Sequence, residues 1–117
     1  MPYVLAASAE MLFTELPFVE RVRAIHERGL GVEIWNWTTK DLDELAATGA
    51  NFASMTGYIE GDLLEADGIA RFLDTAEQSI VASRIIDADR LNVHGTGLDG
   101  DGQAIRPRNT VTAAERR

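Results

Sequence analysis

The chain contains no cysteine. Disulfides, thiolate metal ligands and thiol nucleophiles are therefore excluded. Proline is scarce, with only three residues, so little interrupts regular structure beyond the turns that glycine makes. No apolar run approaches the ~20 residues that a membrane-spanning helix needs. The N-terminus has no basic region ahead of an apolar stretch, so no signal peptide is expected. These absences predict a cytoplasmic protein. Positive charge is also short: 11 Lys and Arg stand against 19 Asp and Glu, a net charge of −8. A phosphate surface would repel such a chain, so neither nucleic acid nor an anionic membrane is expected as a partner. The last twelve residues are the exception, with Arg106, Arg108, Arg116 and Arg117 against a single acid, Glu115. So weak a cluster reads as a solvated or frayed segment.

What remains is ordinary globular material. The 117 residues are 45% hydrophobic and 26% charged, enough for one domain with a core. Tyr3 to Ala9 reads as a short strand of small residues. Leu16 to Arg28 reads as a helix with Phe18, Val22 and Ile25 on its apolar face, Pro17 in its first turn and Gly29 as its stop. The stretch "LGVEIWNW" (30–37) is β-branched and aromatic, as a strand requires. Thr38 then caps a short helix from about Lys40 to Thr48, with Asp41 completing a capping-box pattern. A third strand, weaker in pattern, covers 51–57. The polar stretch "YIEGDLLEADG" (58–68) reads as a surface loop. The longest helix starts at Asp67 and runs to about Ile86, its apolar stripe formed by Ile69, Phe72, Leu73, Ala76 and Ile80. A fourth strand covers 90–95, and 108–117 reads as the frayed start of a fourth helix. The order β-α-β-α-β-α-β-(α) predicts an α/β fold with parallel strands, one domain over 1–117, closed either as an open doubly wound sheet or as the first half of a TIM (β/α)8 barrel.

Buried parallel strands should be nearly continuous in apolar residues, so their polar residues call for a reason. Side chains alternate along a strand. Glu33 and Trp35 then oppose Val32 and Ile34. Asn92 and His94 oppose Leu91 and Val93. Ser54 shares a face with Thr56, and Ser8 and Glu10 extend one face of the first strand. In parallel α/β folds the ligand site lies outside the carboxyl ends of the strands. Ser8, Glu33, Trp35, Thr56, Asn92 and His94 are accordingly the candidate substrate-binding residues. A carboxylate at Glu33 is costly to bury unless paired. It is either a general base or substrate-orienting group, or a structural carboxylate bonded inside the fold. His94 could orient a substrate oxygen or move a proton, or sit in a loop with no such role. Trp35, Trp37 and Phe13 could wall an apolar pocket, although aromatics in strands are more often core. His26 falls on the charged side of the first helix.

Other chemistries fail on spacing. The loop "GTGLDGDG" (95–102) has no GxGxxG and no following Lys–Ser/Thr, and its acids would repel a phosphate. It resembles a calcium loop only faintly, because the EF-hand spacing and terminal Glu are missing. A turn accounts for it. No serine elbow and no zinc-ligand spacing occur.

The run "EMLFTELPFVERVRAIHERGLGVEIW" (10–35) resembles the opening of hydroxypyruvate isomerase-like proteins, in the xylose isomerase-like TIM-barrel superfamily. Its most specific parts are "MLFTELPF" (11–18) and "GVEIW" (31–35), and "LNVHGTG" (91–97) fits the fourth strand of that family. The resemblance covers nearly the whole chain but only half of such a barrel, which needs ~250 residues. It implies isomerisation or epimerisation of a small hydroxy-carbonyl compound by proton transfer beside the carbonyl, assisted by a divalent metal such as Mg or Mn in a complete barrel. The metal ligands and paired catalytic glutamates of that superfamily come from later strands, so none is assigned here, and this chain is expected to lack the metal and to be inactive alone. Glu33 matches the family's Glu at the end of the second strand and carries over as a pocket residue. Ser8, Glu10 and His94 depart from the family's residues, which points away from hydroxypyruvate itself. A homodimer or a complementing C-terminal half is the expected protein partner. The rival expectation is a non-enzymatic module that pairs through exposed strand edges.

Overall fold

The computed structural model describes residues 3–93. His94 and the expected fourth helix at 108–117 lie outside the described residues. Four strands, β1 (Ala6–Ser8), β2 (Gly31–Glu33), β3 (Phe52–Thr56) and β4 (Leu91–Asn92), alternate with the helices α1 (Phe18–Glu27), α2 (Leu42–Ala46) and α3 (Ala66–Ile86). All neighbouring pairs are parallel, in the order β1-β2-β3-β4. Val22 and Ile25 of α1, Leu45 of α2, and Ala82 and Ile86 of α3 join Ala9, Val32, Ile34, Phe52 and Met55 in one core. Burying each of the larger of these side chains contributes about 1.5–3 kcal/mol. One core shared by all three helices places them in one layer against one face of the sheet.

The strand order fixes where the helices lie on this sheet. Right-handed crossovers that always step to the next strand leave every helix on the same face. A doubly wound sheet needs a reversal of strand order, which carries helices to both faces and creates the switch point where its ligands bind. No reversal occurs among the described strands, so no switch point forms within this four-stranded parallel sheet.

Helix and turn boundaries follow local chemistry. The short helix does not start at Thr38. Asn36 Oδ1 accepts from the Thr38 amide at 2.9 Å and caps a 3-10 turn over Trp37–Thr39. Asp41 then caps α2 by accepting from the Glu44 amide at 3.1 Å. Asp41, not Thr38, is thus the cap of the short helix, and Asn36 caps a separate turn where the sequence reads the end of a strand. Nor is the loop after β3 simply a polar surface segment. Tyr58 is buried against Phe72, ring centroids 4.8 Å apart, and burial pushes its hydroxyl above the ordinary pKa of 10.0. Thr75 Oγ1 accepts from the Ile59 and Glu60 amides and fastens this loop to α3.

The apolar stripe expected on α3 is the clearest correction. Ile69, Leu73 and Ile80 are exposed and Phe72 and Ala76 half-buried, whereas Gly68, Thr75, Ser79, Ala82, Ser83 and Ile86 are buried, Ala82 and Ile86 in the core and Gly68 and Thr75 beneath the loop after β3. Small residues let this helix lie close to the sheet. Their hydroxyls are satisfied within the helix: Ser79 Oγ donates to the Thr75 carbonyl at 2.8 Å and Ser83 Oγ to the Ile80 carbonyl at 2.7 Å. Ser79 Oγ also accepts from Trp37 Nε1 at 2.9 Å, so Trp37 ties the turn after β2 to α3.

Candidate functional site

The face of the sheet that the helices leave open carries a hollow of about 470 Å³, lined by Val4, Ala6, Glu33, Asn51, Ala53, Ser54, Asp89, Arg90 and Asn92. Its origin is a change of residue size across the sheet. Ala6 pairs in register with Gly31, and a side chain at Gly31 would touch both Ala6 and Ala53 at about 3.4–3.5 Å. These small residues leave space where larger ones would fill the surface.

A polar row crosses the sheet beside them. Ser8 is level with Glu33, and Glu33 with Ser54. Leu91 is level with Met55, so Arg90, one residue earlier, is level with Ser54. A register shift between Val32 and Glu33 sets this row: Val32 faces Phe52, but Glu33 faces Ser54, with Ala53 as the extra residue. A bulge of this kind re-aims the side chains that follow it. Strict alternation would hold Ser54 on the same face as Phe52, whose ring is in the core. The bulge brings Ser54 to the hollow instead, where its hydroxyl accepts from Asn92 Nδ2 at 3.5 Å.

The expected site residues divide accordingly. Glu33 and Asn92 line the hollow together, as their strand faces predict. Thr56 is half-buried and level with Asn92, just beyond the lining. Ser8 is in the same row as Glu33, but its hydroxyl accepts from the Glu10 amide at 3.3 Å and shapes the turn after β1. Trp35 is 50% exposed and does not line the hollow. Phe13 packs on the core, with the Arg28 guanidinium 4.7 Å from its ring centre. His26 is exposed, as its place on the first helix predicts. Asn51, Asp89 and Arg90 are lining residues that the strand reading passed over. The signal was present for Arg90: two residues before Asn92, it shares that face by alternation.

The loops after β1 and β2 are held by charge. Glu10 pairs with Lys40 at 2.6 Å, with side chains only 12% and 8% exposed. The same ammonium donates to the Asn36 carbonyl at 2.8 Å and lies 4.7 Å from the Phe18 ring centre. Arg21 donates to the carbonyls of Leu16, Thr14 and Ala9. These contacts fix the chain at the carboxyl ends of β1 and β2, next to Glu33. Glu10 is therefore spent on a structural pair and not offered to a ligand.

Glu33, Asp89 and Arg90 form no ion pair with one another among the described residues. The hollow thus presents two carboxylates, one guanidinium, two side-chain amides and a hydroxyl. Such a set accepts and donates hydrogen bonds in several directions. No group of three or more His, Asp or Glu side chains that could hold a metal ion occurs among the described residues. No helix among them is long and apolar enough to cross a membrane. Comparison of the chain with protein-family models, with characterised proteins and with solved structures returns no match.

Proposed function

We propose that these four strands and the three helices between them belong to the first half of a sugar isomerase-like (β/α)8 barrel, resembling the hydroxypyruvate isomerase-like proteins, and that they cradle a small hydroxy-carbonyl compound. The observation that carries this reading is the open, polar face of a sheet whose strands run in sequential parallel order with all helices behind them. In a barrel that face is the interior, and polar groups near the strand carboxyl ends are the substrate wall. Glu33 supplies the carboxylate there, with Asn92 beside it across β3. The parent chemistry is proton transfer at the carbon beside a carbonyl. Glu33 accepts a hydrogen bond from a substrate hydroxyl and so orients the carbon beside the carbonyl, and a base outside these residues takes that carbon's proton.

This reading predicts binding without turnover. The ¹⁵N-labelled 117-residue chain is titrated in H2O with Mg²⁺ and either hydroxypyruvate or dihydroxyacetone, and a parallel incubation in D2O with Mg²⁺ follows the ligand's carbon-bound protons. Amide shifts at Glu33, Ser54 and Asn92 are expected with at least one of the two, together with unchanged proton signals on the ligand carbon. Robust deuterium incorporation would overturn the claim that these units are inactive alone. Absence of binding by either compound would overturn the cradle.

A second reading rests on a different observation. The outer edges of β1 and β4 are unpaired among the described strands, and Tyr3, Val4 and Leu5 beside the first edge are 65–88% exposed. Such edges are templates for pairing. On this reading the chain is an assembly module that homodimerises, with no catalytic role.

A further inference from the structure

Charge in the hollow narrows the ligand further. Resting on the cradle reading above, we infer that the site takes a neutral polyhydroxy carbonyl compound and discriminates against its carboxylate analogue. Among the described residues Arg90 is the only cation that lines the hollow, which also carries two carboxylates, Glu33 and Asp89. Glu33 is level with Ser54, which in turn is level with Arg90, so one strand separates the acid from the base, about 10 Å between their backbones. A carboxylate ligand seated over Ser54 lies between Glu33 and Arg90, so the attraction of the guanidinium on one side is offset by the carboxylate on the other. Asp89, adjoining Arg90 in the chain, adds a second repulsion. The chain as a whole carries −8, so the wider field also opposes an anion. A neutral polyol meets none of these penalties. Its hydroxyls donate to Glu33 and Asp89 and accept from Arg90 and from the amides of Asn51 and Asn92, as bifunctional O–H groups do.

Two three-carbon ligands test this directly, because they share a hydroxyketone and differ only at one end. Dihydroxyacetone ends in CH2OH and hydroxypyruvate in a carboxylate. Each is titrated into the ¹⁵N-labelled chain at fixed ionic strength, and dissociation constants are read from the amides of Glu33, Ser54 and Asn92. Dihydroxyacetone is expected to bind ~10-fold more tightly, the scale of one or two unit charges acting across several ångströms of partly screened space. In Glu33→Gln and Asp89→Asn the preference should shrink several-fold, with dispersed amide spectra showing that both variants fold. Hydroxypyruvate binding as tightly as dihydroxyacetone, or a preference unchanged in both variants, overturns the inference and leaves the cradle reading intact. Shifts with neither ligand overturn both.

Discussion

Gly61 shows how much one residue can decide. Its φ is +94°, and a Cβ there would stand 2.3 Å from the Gly68 carbonyl oxygen and the Phe72 amide nitrogen. The loop after β3 is therefore seated directly on the backbone of α3. Gly29 also has a positive φ, +74°, but a Cβ there would meet nothing within 4 Å. Gly29→Ala should cost about 1–2 kcal/mol, the backbone term alone. Gly61→Ala should cost at least about 3 kcal/mol, because the backbone term and a main-chain clash add. Urea unfolding of the two variants checks this, and equal losses would remove the close approach as a cause. At this scale the sequence was legible wherever alternation holds. Glu33 stands out because Val32 and Ile34 on either side are wholly buried. Ser54 was less so, since its place depends on a bulge that no residue type announces. Ser8 offered a hydroxyl to a ligand by pattern, yet the chain turns immediately after it and the turn takes the hydroxyl.

At the scale of the element, α3 separates what periodicity tells from what it does not. The spacing of Ile69, Leu73, Ala76 and Ile80 correctly marks a helix, and its bounds at Ala66–Ile86 lie within a residue of those read from the sequence. The spacing does not say which face meets the sheet. Close approach to β3 and β4 favours glycine, alanine and hydroxyl residues, and the serines and threonine meet it by bonding to their own helix or to a neighbouring segment. Removing one such hydroxyl should matter more than removing a large exposed aliphatic. Ser79→Ala leaves the Trp37 indole N–H without its acceptor and should cost about 1–2 kcal/mol. Leu73→Gln, at a side chain 57% exposed, should change stability by no more than about 0.5 kcal/mol. Thermal unfolding followed by tryptophan fluorescence ranks the two. The opposite order would mean that the aliphatic stripe, not the hydroxyl face, supports the fold. The short helix after β2 teaches the same lesson on capping, since the pattern offered Thr38 as its cap whereas Asp41 caps it and Asn36 caps a separate 3-10 turn.

At the scale of the whole molecule, parallel β/α alternation was legible from element order, but the choice between one-sided and two-sided sheets was not. That choice is made by strand order, which depends on pairings between segments far apart in the chain. With the order β1-β2-β3-β4, rotation of a second copy by a half-turn about an axis along the strands sets its β1 beside the first copy's β4, still parallel. The same rotation sets the first copy's β1 beside the second copy's β4. Both open edges close at once, and the polar hollows face each other inside an eight-stranded ring. The assembly reading therefore makes a definite demand. Light scattering on the chain should show twice the monomer mass as concentration rises. Val4 is 88% exposed beside the β1 edge, and a charge there should disfavour edge pairing without disturbing the core. Val4→Lys should shift the dissociation constant of the dimer at least ~10-fold towards monomer, with the unfolding midpoint measured at low concentration unchanged. A monomer at every concentration would remove the assembly reading and leave the edges to be covered by further β/α units of a barrel.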